Sequence, residues 1–208
     1  MIFFIIIGLT VYAIFLTQPD ISNSSISRNF GTITTSLGSP FLGSSQAPIT
    51  IIEFGNYQCD ECKKWFKETR PVIINEYLEQ GEVNMIFIDT QLTKNIPIAS
   101  FASYCANDQG KYWDYHNILF NNSIGNKIDI KYLKQSATEL ELDMDSFEEC
   151  LDSGEYEKKV KYSTYEAKKN GINRLPTFII IDSSGEYEKI LGAQPYPIFE
   201  EKINSIQN

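Results

Sequence analysis

The chain has 208 residues, with 18 Lys plus Arg against 27 Asp plus Glu and 42% hydrophobic residues, which suits one domain with a sizeable core and is too apolar for disorder. A net charge of -9 excludes general nucleic-acid binding, because no basic surface is left to hold a phosphate backbone. Four cysteines are too few for a disulfide-held miniprotein, so they are available for chemistry or as local staples.

Residues 1–17 (MIFFIIIGLTVYAIFLT) carry no charged side chain; at about 1.5 Å per residue they extend roughly 26 Å, just enough to span a slightly thinned bilayer. The run lacks a basic leader and a small-x-small cleavage site, which favours an uncleaved membrane anchor over a signal peptide. Cleavage would instead leave a secreted or periplasmic protein. No Lys or Arg precedes the run and Arg28 follows it, so the positive-inside rule gives no support for an extracytoplasmic orientation. Residues 18–45 are rich in Ser, Thr and Gly without sustained periodicity and read as a tether. About 20 flexible residues reach roughly 25 Å. The linker proper is placed at 18–36, ahead of a domain spanning 37–208. Glycosylation-type triplets at Asn23 and Asn121 arise too often by chance to carry weight.

Ile49 to Phe54 is short, β-branched and apolar between Pro48 and Gly55, the pattern of a buried central strand with Glu53 as its anomaly. From Cys59 to about Gly81 the pattern turns helical, with Trp65, Phe66, Val72, Ile73, Tyr77 and Leu78 on one stripe and Pro71 as a kink. Val83 to Ile88 reads as a second buried strand, completing a βαβ unit with a parallel pair. The stretch from about 97 to 170 is helical. Ile98, Phe101, Ala102 and Cys105 share an apolar face, Asp143 is an N-cap flanked by Leu142 and Phe147, and Gly154 and Gly171 close two helices. Phe178 to Ile181, a turn at 182–185 and Glu186 to Leu191 form a hairpin, and 198–206 is a short amphipathic helix.

The chemistry concentrates at Cys59-Asp60-Glu61-Cys62. A CxxC where a strand feeds a helix places the first sulfur at the helix N-terminus, where unpaired N–H groups and the dipole stabilise a thiolate, and the second one turn later, within disulfide reach. A zinc ribbon needs a second close-spaced pair. Cys105 and Cys150 stand alone and His116 is the single histidine, so no metal site is expected. Cys105 and Cys150 are expected to pair with each other away from turnover, two buried free thiols being the alternative. His116, among Tyr112, Trp113, Tyr115 and Leu119, reads as a packed or half-exposed structural residue. Trp65 reads as packing under the active-site helix.

Five motifs occur in order: GSPFLGSSQAPITIIEFGNYQCDEC (38–62), ETRP (68–71), GKYWDYHNILF (110–120), FEECLDSGEY (147–156) and GINRLPTFIII (171–181). On these the chain from 37 onward resembles the DsbA-like branch of the thioredoxin superfamily, an α/β thioredoxin fold with a helical insertion. The resemblance implies a thiol-disulfide oxidoreductase whose only redox group is its own disulfide, with no cofactor. It makes Cys59 the exposed nucleophile, Cys62 the buried resolving cysteine and Pro176 a cis-proline beside them. Leu175 and Thr177 would flank that proline and contact an extended substrate. Glu53, six residues before Cys59, matches the buried acid that relays protons to the resolving cysteine; a salt-bridged or edge-exposed glutamate is the plainer reading. The partners implied are exported proteins with free thiols and a DsbB-like or VKOR-like membrane protein for reoxidation. One departure is visible, since Asp60-Glu61 stands where strongly oxidising members carry Pro-His. A reductase or isomerase with the same fold, and a copper-binding thiol module without catalysis, are the competing functions.

Overall fold

The computed structural model describes residues 25–28, 31–34, 37–92, 97–121 and 128–207. The apolar run at 1–17 lies outside them, and among the described residues no helix is long and apolar enough to cross a membrane. Within the segment expected to be a featureless linker, β1 (Ser25–Arg28) and β2 (Gly31–Thr34) pair as an antiparallel ribbon, Ile26 opposite Ile33. The alternation of Ser with β-branched Ile and Thr suits such a pair.

The central sheet grows from β3 (Ile49–Gly55), buried along nearly its whole length. The β-branched apolar residues of that strand require neighbours on both faces. On one side runs β4 (Val83–Asp89), parallel to it with Glu53 opposite Phe87; on the other runs β5 (Thr177–Asp182), antiparallel with Phe54 opposite Thr177. β6 (Tyr187–Leu191) completes the order β4-β3-β5-β6. The β5–β6 turn is held by the Asp182 carboxylate, which accepts the Glu186 amide at 2.7 Å.

The helix expected between Cys59 and Gly81 comes in three pieces. α1 (Asp60–Glu68) ends at Thr69, α2 (Arg70–Ile73) restarts with Pro71 in its first turn, and one π-helical turn follows at Ile74–Leu78. Pro71 supplies no N–H and its ring crowds the preceding turn, so the break belongs there. It also re-aims the surface: Ile73 is fully buried, whereas Val72, expected on the buried stripe, is 37% exposed. The Thr69 hydroxyl donates to the Gln194 carbonyl at 3.0 Å and ties the break to the segment before α8 (Tyr196–Gln207).

The insertion holds α3 (Ile98–Asn107), α4 (Tyr112–Asn121), α5 (Ile130–Glu139), α6 (Met144–Ser153) and α7 (Glu157–Lys169). Asp143 caps α6 by accepting the Ser146 amide at 2.8 Å, with Leu142 and Phe147 buried beside it. Gly154 and Gly171 close α6 and α7 at φ 66° and 74°. Cys105 on α3 and Cys150 on α6 form a disulfide with a Cα separation of 5.8 Å.

Three apolar clusters hold the layers together. Trp65, Phe178 and Phe199 sit with Ile49, Ile51 and Met85 between the sheet and α1, α2 and α8; Ile52, Phe54, Ile86 and Ile88 meet Ala167 of α7 on the opposite face. The third joins Tyr57, Cys62, Phe66 and Phe87 to the insertion helices. Each large side chain so buried contributes about 1.5 to 3 kcal/mol, and the third cluster is what fixes the insertion over the redox centre. Residues 37–42 run along the outer edge of β4, where the Ser39 and Leu42 amides donate to the Phe87 and Met85 carbonyls at 2.9 and 2.8 Å. A side chain at Gly38 would stand 2.3 Å from Ile86 Cγ2, so only glycine lets the segment lie this close.

Candidate active site

The site starts where β3 ends. Gly55 closes the strand, Asn56 and Gln58 form a tight turn with the Asn56 carboxamide oxygen accepting the Gln58 amide at 3.0 Å, and Cys59 follows as the N-cap of α1. Its Sγ accepts the Cys62 amide at 3.1 Å, so the sulfur occupies the place of a capping oxygen and faces the unpaired N–H groups of the first turn. Cys59 and Cys62 form a disulfide with Cα atoms 5.2 Å apart. Their exposure differs: Cys59 is half-buried at the rim and Cys62 is completely enclosed. Asp60 and Glu61, between them, are exposed.

Pro176 immediately precedes β5, one residue before the Phe54–Thr177 pair and so level with the end of β3 that leads into the Cys59 turn. Its bond from Leu175 is cis. Leu175 packs against the same cluster as Cys59, while the Pro176 carbonyl accepts the Gly192 amide at 2.8 Å and the Thr177 hydroxyl donates to the Arg174 carbonyl at 2.7 Å. The Thr177 hydroxyl is therefore engaged in shaping the loop, and Leu175 is the partly open residue of the three.

Behind the disulfide lies Glu53. It is 2% exposed on the sheet face covered by α1, and burial pushes its carboxyl up to about 8, the Arg70 charge pulling the other way. Neither plainer reading describes it, since it is buried and no ion pair to it occurs among the described residues. A methyl group at Gly55 would stand 3.2 Å from Glu53 Oε1 and 3.4 Å from Cys62 Sγ. Gly55 thus keeps clear the short path between the carboxyl and the enclosed sulfur.

These geometric features coincide with a match to the thioredoxin family model across residues 35–189. Disulfide bond formation protein D of Bacillus subtilis is 27% identical over 154 residues, 70% of this chain and 68% of the relative; the probable disulfide bond formation protein D of Bacillus anthracis is 23% identical over 186 residues, 85% and 81% of the two. The chain belongs to the thioredoxin family, as a DsbA-like thiol:disulfide oxidoreductase. The fold agrees. Oxidised BdbD from Bacillus subtilis superposes with a TM-score of 0.71 at 24% identity, covering 81% of this chain and 93% of that one, and alpha-DsbA1 of Wolbachia pipientis with 0.70 at 23%, covering 80% and 89%.

In this DsbA-like enzyme a polar cluster sits under the CxxC that the motif reading did not assemble. The Tyr57 hydroxyl shares a hydrogen bond of 3.1 Å with His116 Nδ1 and accepts one of 2.8 Å from Ser103. His116 is fully buried, packed edge-on to Phe87, and burial together with the Arg70 charge holds its imidazole neutral, well below its ordinary value. Arg70 is 5% exposed; burial, opposed by Glu53 and Tyr57, brings its guanidinium down to about 10. The sequence offered one signal for Arg70, its position four residues after the inward-facing Phe66, at the start of α2. Among the described residues no group of three or more His, Cys, Asp or Glu side chains is arranged to hold a metal ion.

Proposed function

We propose that this protein is a membrane-anchored oxidase that donates the Cys59–Cys62 disulfide to exported proteins. The observation that carries the reading is the unequal placement of the two sulfurs, one at a helix N-terminus on the rim and one enclosed beside a buried carboxyl. A substrate thiolate attacks Cys59 Sγ, the Cys59–Cys62 bond breaks, and Cys62 leaves as a thiolate that takes the Glu53 proton. A second substrate thiolate then attacks the substrate sulfur of the mixed disulfide and Cys59 departs as a thiolate, which its helix-terminal position favours. The substrate has lost two electrons and the enzyme has gained them. Leu175, partly open and packed against the same cluster as Cys59, forms with the Pro176 backbone the ledge along which an extended substrate lies.

The names of the Bacillus relatives as disulfide bond formation proteins support donation over reduction. Reoxidation falls to a membrane protein of the DsbB or VKOR kind, and the 1–17 apolar run would hold the domain at the same membrane as that partner. Donation requires an oxidising compartment, which places the domain outside the cytoplasm. Alkylation of thiols in intact cells tests the direction: the pair is expected largely oxidised at steady state, and a largely reduced pair would make the protein a reductase or isomerase.

A further inference from the structure

A guanidinium buried to 5% exposure is expensive unless something seats it. Arg70 is seated from one direction. Its Nη1 donates to Asn117 Oδ1 at 3.2 Å, and its guanidinium carbon lies 4.7 Å from the Phe66 ring centre and 5.7 Å from that of Trp113. Phe66 belongs to α1 and Trp113 and Asn117 to α4, so the seat is shared between the active-site helix and the helical insertion and is not built by the sheet. Arg70 makes no salt bridge among those between described residues, and its Nε, like Glu53 Oε1, is buried without a hydrogen-bond partner there. The groups its charge reaches are Glu53 on β3, Tyr57 in the loop before α1 and His116 on α4. Tyr57 and His116 are both held neutral by burial, which leaves Glu53 as the one of the three able to change charge near neutrality.

A contact ion pair would lock the carboxylate in its charged form, and an uncompensated interior would lock it protonated; a cation held near but out of contact leaves both forms accessible. We propose that Arg70 is a positioning residue for thiol–disulfide exchange, its guanidinium fixed by Trp113 and Asn117 of the insertion so that its charge reaches the Glu53 carboxyl without contact and sets how readily Glu53 takes the Cys62 proton. The inference rests on the reading of Glu53 as the proton acceptor for Cys62, and it assigns the insertion a part in the chemistry.

The test follows one step in the full-length reduced protein mixed with excess oxidised glutathione. Cys59 forms a mixed disulfide with glutathione; Cys62 sulfur then attacks Cys59 Sγ, the Cys59–Cys62 bond forms, glutathione leaves as a thiolate, and the Cys62 proton passes to the Glu53 carboxylate. That second phase is independent of glutathione concentration and is read by stopped flow from pH 5 to 9. Arg70→Met should move its midpoint up by a pH unit or more, slowing it about tenfold on the acid side. Arg70→Lys, which keeps the charge, should stay near the unsubstituted protein, and Asn117→Leu should shift the midpoint in the same direction by less. Glu53→Gln should flatten the profile. A flattened Glu53→Gln profile with an unshifted midpoint in Arg70→Met overturns the role of Arg70 alone; a Glu53→Gln profile identical to the unsubstituted protein removes Glu53 and Arg70 together. Should Arg70→Met fail to fold, Asn117→Leu at its half-buried position decides: a shifted midpoint supports the proposal and an unshifted one overturns it.

Discussion

Replacing Glu53 by glutamine should stabilise the oxidised protein by an amount that grows with pH. The folded protein holds the Glu53 proton up to about pH 8, whereas the unfolded chain releases it near 4.5. Between those values the native state binds one more proton than the unfolded state, so stability contributed by this group is fully present below the unfolded value and is lost as pH rises towards the folded one, at about 1.4 kcal/mol per pH unit. The linkage gives a penalty of about 1 kcal/mol at pH 5, about 3 at pH 7 and about 4 at pH 8. Glutamine keeps the shape and cannot ionise. Urea denaturation of both proteins at those three pH values, with the disulfides intact, yields the difference directly. Asp89, also buried and pushed up to about 7, has the same sign, but it is present in both proteins and cancels. A Glu53→Gln difference that stays constant from pH 5 to 8 would refute the reasoning, because it would mean that the carboxyl ionises freely or is charged throughout.

Cys62→Ser should accumulate mixed disulfides through Cys59, while Cys59→Ser should be inert towards substrate; equal trapping in non-reducing gels would contradict the difference in exposure between the two sulfurs. Replacing Cys105 and Cys150 together by alanine should lower stability by about 4 kcal/mol in the chain-entropy model, since the bridge spans a sequence separation of 45. Calorimetry should then show a fall in melting temperature of roughly 8 to 16 °C with insulin reduction nearly intact, and a folded variant without activity would instead place this disulfide in the turnover path. The reduction potential should fall between about -120 and -270 mV, because Asp60 and Glu61 stand in the first turn after Cys59, and a carboxylate taken at about 6 Å from a thiolate costs it roughly 0.7 to 2.8 kcal/mol. Exchanging Asp60 and Glu61 for Pro and His should raise it by tens of millivolts in glutathione buffers, and an unchanged potential would show that the two acids do not govern the thiolate.

The elements legible in the sequence are those whose local pattern and tertiary role agree. Ile49 to Phe54 and Phe178 to Ile181 are apolar and β-branched because both strands are interior to the sheet, and Asp143, Gly154 and Gly171 mark helix ends by local chemistry alone. Val72 misleads because a kink at Pro71 is legible in the sequence but the direction in which it turns the next residues is not; the break at Thr69 swings Val72 off the buried stripe. The 25–34 ribbon escapes notice because serine-rich composition outweighs a few alternating Ile and Thr. At the site, Cys59 and Cys62 are read from their spacing, whereas Glu53 and Pro176 are singled out as site residues only by the family resemblance. Arg70 is marked by neither, since a lone arginine reads as surface and its seat is completed by Trp113 and Asn117, more than forty positions away and visible only after α4 has packed.

The segment along β4 bears on how the protein avoids pairing with other chains. An unpaired strand edge is a template for any extended chain, and a catalyst that meets unfolded polypeptides would be exposed to this hazard at every encounter. Here Leu42 bridges Met85 and Ser39 occupies Phe87, so one side of the sheet is closed by the chain itself. The other side ends in β6, five residues long and bearing Glu188 and Lys189, with Glu188 bridged to Lys202 of α8. A short charged border discourages a second strand from adding there. Both lateral flanks of the sheet are thereby closed to an added strand, and self-association by edge pairing is suppressed.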